Sequence, residues 1–141
     1  MNILILCTGN SCRSQMAHGF MQSFDKKLNV YSAGIKASGK INPMAVEVMH
    51  KAGVDISHHQ SRNVSEYLHS NWDYVITVCG GANESCPSFL GNVANRLHIG
   101  FDDPSEAIGS DEFIYSEFIR VRDEIKEHFY QLYLQIQSEI L

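Results

Sequence analysis

An apolar run passes into a polar turn at residues 2–14, which read Asn-Ile-Leu-Ile-Leu-Cys-Thr-Gly-Asn-Ser-Cys-Arg-Ser. A short run rich in Ile and Leu that ends at a glycine-containing turn is typical of a strand buried on both faces. Apolar residues then recur at three- and four-residue steps, which predicts a helix from Ser14 onward. A buried strand that leads directly into a helix is typical of the α/β class.

The same alternation of strand and helix continues along the rest of the chain. The predicted elements are strands over residues 30–32, 74–79 and 93–99, and helices between Asn42 and Gly53, over 64–70 and from Asp111 onward. Asn42 and Pro43 supply an N-cap and a first-turn proline for the first of these helices. We therefore predict an α/β fold, a single domain over residues 1–141 with a four-stranded parallel sheet and helices on both faces.

The composition is that of a folded protein and excludes several classes of partner. Hydrophobic residues make up 44% and charged residues 19% of 141 residues, which excludes a disordered or collagen-like chain. The net charge of −5 argues against nucleic-acid binding, since nucleic-acid binders usually carry a basic face. No apolar run approaches the ~18 residues of a membrane span, and residues 1–6 lack the basic region of a signal peptide. We expect a cytoplasmic protein that binds neither nucleic acid nor a membrane.

The four cysteines form two pairs along the chain, Cys7 with Cys12 and Cys79 with Cys86. In a cytoplasmic protein they should be reduced thiols and not structural disulfides. The spacing of the cysteines does not match the paired pattern of a zinc site. Of the seven histidines, His58 and His59 are adjacent and the others are scattered, so we predict no metal site. Cys7 and Cys79 each end a predicted strand, and parallel sheets bind ligands at the carboxyl ends of their strands.

The turn that follows Cys7 has the composition of an oxyanion site. Its backbone N–H groups can converge on one point beside the positive end of a helix. The residues that would contribute them are Thr8, Gly9, Asn10, Ser11, Cys12 and Arg13. Arg13 can also hold two oxyanion oxygens with its planar guanidinium group. The same positive field should lower the pKa of Cys7 and make it a nucleophilic thiolate, with the Ser14 hydroxyl placed to donate to its sulfur.

Simpler interpretations of these segments stay open at this point. Cys-x5-Arg alone is a loose pattern, and a glycine-containing turn can carry a buried cysteine and an exposed arginine without any catalysis. The Cys12 side chain is more typical of packing than of chemistry. In residues 101–104, Phe-Asp-Asp-Pro, a carboxylic acid could protonate a leaving oxygen, but Asp-Pro equally opens a turn or caps a helix.

Taken together, these segments resemble the thioredoxin-coupled arsenate reductases, which share the fold of the low-molecular-weight tyrosine phosphatases. The resemblance extends from the first strand into the last helix. It rests on residues 7–17, 31–35, 42–43, 55–57, 77–79, 86–87, 100–104 and 120–125. It implies a low-molecular-weight phosphotyrosine phosphatase-like fold and arsenate as the substrate, with phosphate or sulfate as competing anions.

The resemblance also implies a role for each candidate residue. Cys7 would be the attacking thiolate, Arg13 and the loop amides the arsenate cradle, and Asp103 the general acid. Cys79 would attack the Cys7–arsenic adduct, and Cys86 would resolve the Cys7–Cys79 disulfide. The remaining Cys79–Cys86 disulfide would pass to thioredoxin. Thiol exchange needs sulfurs that reach one another in turn, and the polar, glycine-containing residues 80–85 are expected to form a mobile loop.

Several departures and alternatives bear on this interpretation. In one branch of the family, acidic residues bind a potassium ion near the anion loop. The aligned positions here are His18 and Arg62, so we predict no potassium site. We also predict that the protein has no cofactor and is a monomer. A tyrosine phosphatase would use Cys7, Arg13 and Asp103 with water, but Ser105 stands where those enzymes place an aromatic residue. A phospho-carrier module is a third possibility, and Cys79 could be a buried packing residue with Cys86 incidental. Glutaredoxin or mycothiol as the electron donor also stays open.

Overall fold

The chain folds around a sheet of four parallel strands in the order β2-β1-β3-β4. The computed structural model describes residues 1–140, and Leu141, the last residue of the predicted domain, lies outside the described residues. The strands are β1 (Asn2–Cys7), β2 (Asn29–Gly34), β3 (Trp72–Thr77) and β4 (Val93–His98). The helices are α1 (Arg13–Phe24), α2 (Pro43–Lys51), α3 (Gly80–Ser85) and α4 (Asp111–Ile140), with short 3₁₀ helices at Val64–Tyr67 and Pro104–Glu106. The predicted α/β fold with a four-stranded parallel sheet is confirmed.

Helices lie on both faces of the sheet, as predicted. On one face, Ser32 of β2 meets His18 of α1, with Oγ and Nδ1 2.9 Å apart. On the opposite face, Thr77 of β3 contacts Asn83 of α3 through side-chain oxygens 3.5 Å apart. Side chains alternate between the two faces along a strand, and the register of β1 with its neighbours places these two contacts on opposite sides. No helix among residues 1–140 combines the length and apolarity that crossing a membrane requires.

The position of each strand in the sheet explains how clearly the sequence predicts it. β1 lies between two other strands, and residues 3–6 are completely buried. β4 is an edge strand, and three consecutive residues in it, Ala94, Asn95 and Arg96, are exposed. A strand buried on both faces needs apolar residues throughout, whereas an edge strand tolerates polar ones. This difference accounts for the weaker strand pattern at 93–99.

Two predicted elements need correction, whereas the predicted cap of α2 is confirmed. Residues 80–85, expected to form a mobile loop, form the short helix α3, in which Ala82 is completely buried. Tertiary packing of that side chain stabilises a helix whose two glycines disfavour it locally. The predicted helix over 64–70 is a 3₁₀ helix limited to Val64–Tyr67. The Asn42 side chain accepts a hydrogen bond from the backbone N–H of Met44 at 2.8 Å, which is the predicted N-cap.

Candidate active site

The loop between β1 and α1 surrounds a cavity of about 300 Å³ at the carboxyl end of the sheet. The residues that line it are Cys7, Thr8, Gly9, Asn10, Ser11, Cys12, Arg13, Asp103, Ser105 and Glu106. All the residues predicted to form the oxyanion site therefore meet at one cavity. The structure also adds Glu106, which the sequence did not indicate.

Hydrogen bonds from the segment after β2 hold this loop by its carbonyl oxygens. The carbonyls of Cys7, Thr8, Gly9 and Ser11 accept bonds of 2.8–3.0 Å from the backbone N–H groups of Ile35, Lys36, Ser38 and Asn42. In a trans peptide group the C=O and the following N–H point in opposite directions. The loop N–H groups that follow these carbonyls are thereby turned away from the bonded side and toward the cavity. Converging N–H groups of this kind bind tetrahedral oxyanions.

Asn10 fixes the middle of the loop. It has a φ of 50° and is completely buried; asparagine tolerates this left-handed conformation better than most residues. Its Nδ2 donates to Ser14 Oγ at 2.8 Å, and its Oδ1 accepts from the backbone N–H of Arg62 at 2.9 Å. Ser14 Oγ accepts the bond from Asn10 Nδ2, and the predicted hydrogen bond from Ser14 to Cys7 is absent among the described residues. In this structure Ser14 supports the loop and does not contact the thiol.

Gly34 lies so close to the loop that a larger residue cannot fit without moving it. A Cβ atom at this position would lie 2.6 Å from the carbonyl oxygen of Thr8 and 3.0 Å from the amide nitrogen of Asn10. We expect Gly34→Ala to lower the free energy of unfolding by about 1–3 kcal/mol and to weaken phosphate binding. Urea denaturation and titration calorimetry with phosphate would measure the two effects.

Gly80→Ala is the matched control, since a Cβ atom there meets nothing within 4 Å. It should leave phosphate affinity unchanged. If Gly34→Ala binds phosphate as tightly as the unmodified chain, the close approach of β2 does not shape the loop.

Two cysteines from neighbouring strands meet below the cavity. Cys7 ends β1 and Cys79 follows β3 as the N-cap of α3; both are 4% exposed. The Cys7 and Cys79 side chains are close enough for the ionisation of each thiol to depend on the other, and Thr8 Oγ1 lies 3.3 Å from Cys79 Sγ. The structure therefore brings together the first two thiols that the sequence singled out.

This contact decides where the thiolate charge rests. The neighbouring Cys7 thiol lowers the pKa of Cys79 to about 4, with Thr8, the Ala82 N–H and Arg13 acting in the same direction. The same interaction, together with burial, raises the pKa of Cys7. The two thiols ionise as a coupled pair, so one thiolate is shared between them. These directions favour the negative charge on Cys79, whereas the sequence analysis expects the thiolate at Cys7.

Arg13 connects the loop to the segment before α4. Its Nη1 donates to the carbonyl oxygen of Phe101 at 3.0 Å, and its Nη2 lies 3.3 Å from Asp103 Oδ2. The other carboxylate oxygen of Asp103 accepts bonds from the backbone N–H of Ser105 at 3.0 Å and from its hydroxyl at 2.6 Å. Asp103 thus caps the 3₁₀ helix and also lines the cavity, so the two interpretations of this segment are compatible. Asp102 instead forms an exposed ion pair with Arg120.

Cys86 is not brought to the other two thiols. It lies at the end of α3 opposite Cys79 and is partly exposed. A helical rise of 1.5 Å per residue separates the two Cα atoms by roughly 10 Å. Disulfides join Cα atoms that are about 4.4–6.8 Å apart. A Cys79–Cys86 bond is therefore incompatible with an intact α3.

Sequence reasoning missed a polar network behind the loop. His59 Nδ1 lies 3.0 Å from Gln15 Oε1, and Gln15 Nε2 donates to the Asn10 carbonyl oxygen at 3.1 Å. His18 stacks on His59 with ring centroids 4.2 Å apart. Burial lowers the pKa of His18 to about 3 and that of His59 to about 4. The sequence analysis considers the spacing of the histidines only as an argument against a metal site, and no sequence pattern indicates that they support the loop.

Comparison with known proteins assigns the chain to a family. The family model for low molecular weight phosphotyrosine protein phosphatases matches residues 2–140. The chain belongs to this family. A relative from Bacillus licheniformis named arsenate reductase is 50% identical over 126 residues, which cover 89% of this chain and 89% of that protein.

Solved structures of this phosphatase family show the same fold. An arsenate reductase in a phosphate-binding state has a TM-score of 0.80 at 29% identity, covering 96% of this chain and 98% of the other. A low molecular weight protein tyrosine phosphatase from Bacillus subtilis has a TM-score of 0.78 at 29% identity, over the whole of both chains. The resemblance to the arsenate reductases of this family is confirmed.

Proposed function

We propose that the chain reduces arsenate to arsenite through a Cys7–arsenic adduct and a disulfide relay of Cys7, Cys79 and Cys86, with thioredoxin as the final reductant. The observation that carries this proposal is the coupled pair of Cys7 and Cys79 beside the cavity that the loop after β1 surrounds. Relatives named arsenate reductase that match most of the chain support it. We propose further that the protein acts as a monomer in the reducing cytoplasm and depends on thioredoxin.

The first step forms a sulfur–arsenic bond without any change of oxidation state. The loop N–H groups and Arg13 bind arsenate in the cavity. As Cys7 attacks arsenic, its proton passes to the neighbouring Cys79 thiolate. A hydroxyl group leaves arsenic as water after it takes a proton from Asp103, which acts in this step in its protonated acid form.

The second step transfers two electrons to arsenic. The Cys79 thiol loses its proton to water, and Thr8, the Ala82 N–H and Arg13 favour the resulting thiolate. The thiolate attacks the Cys7 sulfur, a Cys7–Cys79 disulfide forms, and the electron pair of the sulfur–arsenic bond stays on arsenic. Arsenic is thereby reduced from the pentavalent to the trivalent state while two cysteines are oxidised.

The third step restores Cys7 and requires α3 to unwind. The Cys86 thiolate attacks Cys79, and Cys7 leaves as a thiolate. Because Cys79 and Cys86 lie too far apart across an intact α3, the helix must open before the bond can form. A six-residue helix that begins with two glycines is marginally stable by itself, which suits this movement. The thioredoxin dithiol then reduces the Cys79–Cys86 disulfide.

A phosphatase is the second candidate, because Cys7, Arg13 and Asp103 would also serve phosphate-ester hydrolysis. A protein of similar structure is named a low molecular weight protein tyrosine phosphatase. In this chain, however, the residues after Asp103 that line the cavity are Ser105 and Glu106, which offer no aromatic surface to an aryl group. Hydrolysis also does not require the second pair of thiols, Cys79 and Cys86.

A coupled assay distinguishes the two candidates. Arsenate, thioredoxin, thioredoxin reductase and NADPH should give sustained NADPH consumption, with glutaredoxin or mycothiol systems tested in parallel as donors. An aryl phosphate should be hydrolysed only slowly. Rapid aryl phosphate hydrolysis without arsenate-dependent NADPH consumption would favour the phosphatase.

Asp103→Asn should slow the first step while leaving oxyanion binding largely intact. An amide cannot supply the proton for the leaving hydroxyl, and general acids typically contribute about 10²-fold or more to a rate. We expect about a 100-fold lower rate of Cys7–Cys79 disulfide formation in a single turnover, measured by rapid quench and mass spectrometry. Asp102→Asn is the control, because Asp102 is exposed and paired with Arg120. A rate for Asp103→Asn equal to that of the control would remove Asp103 from the mechanism.

A further inference from the structure

A second cavity, of about 370 Å³, lies beside α3 and is lined by Cys86. It lies between α3 and strands β3 and β4, and its lining includes Thr77, Asn83, Arg96 and His98. The mechanism above assigns a role to Cys86 alone among these residues. Arg96 is the permanently charged cation of this lining.

Arg96 is held in place by the segment that follows Cys86. Its guanidinium carbon lies over the ring of Phe89, 5.4 Å from the centroid, which is within the usual range of a cation–π contact. Phe89 belongs to the stretch that connects α3 to β4. The contact therefore links Arg96 to the chain on the C-terminal side of Cys86.

The other surroundings of Cys86 disfavour its ionised form. The thiol follows the carboxyl end of α3, and its partial burial raises its pKa; Arg96 acts in the opposite direction. The other charged or titratable groups nearby are His98, whose Nδ1 lies 2.7 Å from Thr77 Oγ1, and the exposed Glu84 of α3. Neither offers Cys86 a permanent positive charge.

We propose that Arg96 is a positioning residue of the relay, whose positive charge beside α3 favours the nucleophilic thiolate form of Cys86 against the effect of its partial burial. This inference rests on the proposed function. In the step that it serves, the proton of Cys86 passes to water and the Cys86 thiolate attacks Cys79 of the Cys7–Cys79 disulfide. The Cys79–Cys86 bond forms, the Cys7–Cys79 bond breaks, and Cys7 leaves with the electron pair.

The test measures the reactivity of Cys86 directly in the full chain. Iodoacetamide labelling of Cys86 would be followed by peptide mass spectrometry as a function of pH. Arg96→Gln should move the midpoint of the labelling profile to higher pH and lower the rate at neutral pH about threefold. Arg96→Lys keeps the charge and should retain most of the unmodified rate. Higher salt should reduce the difference between the two variants, because ions screen exposed charges.

A second readout separates this inference from the proposed function. With arsenate, Arg96→Gln should release its first arsenite at the unmodified rate but form the Cys79–Cys86 disulfide about threefold more slowly. A labelling profile that is the same in Arg96→Gln and the unmodified chain would overturn the role of Arg96. Equal losses in Arg96→Gln and Arg96→Lys would overturn it as well. If the unmodified chain releases no arsenite, the proposed function fails, whereas the labelling profiles still decide whether Arg96 activates Cys86.

Discussion

Replacement of Cys79 by serine should reduce arsenite release to the uncatalysed level. The serine hydroxyl can still accept a hydrogen bond from Thr8, but its oxygen cannot form the disulfide that moves two electrons to arsenic. The Cys7–arsenic adduct would then have no neighbouring thiol to reduce it, since Cys86 lies at the far end of α3. Chromatographic separation of arsenate and arsenite after incubation with thioredoxin, its reductase and NADPH measures the effect.

Cys12→Ser is the matched control for this variant. Cys12 is also buried in the anion loop, but burial raises its pKa to about 12, so it is an unreactive thiol at neutral pH. This variant should retain turnover, and both variants should bind phosphate, which reports that the loop is folded. Arsenite release by Cys79→Ser at the unmodified rate would mean that an external thiol reduces the adduct directly.

How well the sequence predicts each strand depends on where the strand lies in the sheet. β1 is enclosed by two neighbouring strands, so its apolar sequence identifies it, whereas β4 is an exposed edge with a mixed sequence. The helix α3 could not be predicted, because its two glycines disfavour helix locally and the burial of Ala82 is a tertiary effect. Local sequence patterns predict the strands and helices of the core accurately. They predict poorly an element that depends on packing against residues distant in the chain.

The residues of the candidate site also differ in how far the sequence alone predicts their contacts. Cys7 and Arg13 belong to one loop, so their spacing in the sequence already implies their proximity. The contact between Cys7 and Cys79 depends on β1 pairing with β3, which the order of strands along the chain does not reveal. The position of the thiolate charge depends further on the interaction between the two thiols and on the N–H of Ala82. The support of Asn10 by Gln15 and His59 likewise arises from packing across the fold.

Cys86→Ser should release one arsenite per protein molecule and then stop. Steps one and two use Cys7 and Cys79, which are already in contact, so they need neither Cys86 nor any opening of α3. The third step has no attacking thiol, and the buried Cys7–Cys79 disulfide, each residue of which is 4% exposed in the structure, is sheltered from thioredoxin. Rapid-quench measurement of arsenite should show a burst of one equivalent, and peptide mass spectrometry should identify the Cys7–Cys79 bond.

Hydrogen exchange distinguishes this trapped form from the oxidised unmodified chain. Oxidation of the unmodified chain should remove amide protection in α3, because a Cys79–Cys86 bond brings together ends that an intact helix holds roughly 10 Å apart. Oxidised Cys86→Ser should keep that protection, since its disulfide does not span the helix. Sustained turnover of Cys86→Ser with thioredoxin, or the same exchange pattern in both oxidised forms, would contradict a relay that passes through Cys86. In the proposed mechanism, unwinding of α3 is the movement by which the relay carries oxidising equivalents from a buried site to the surface.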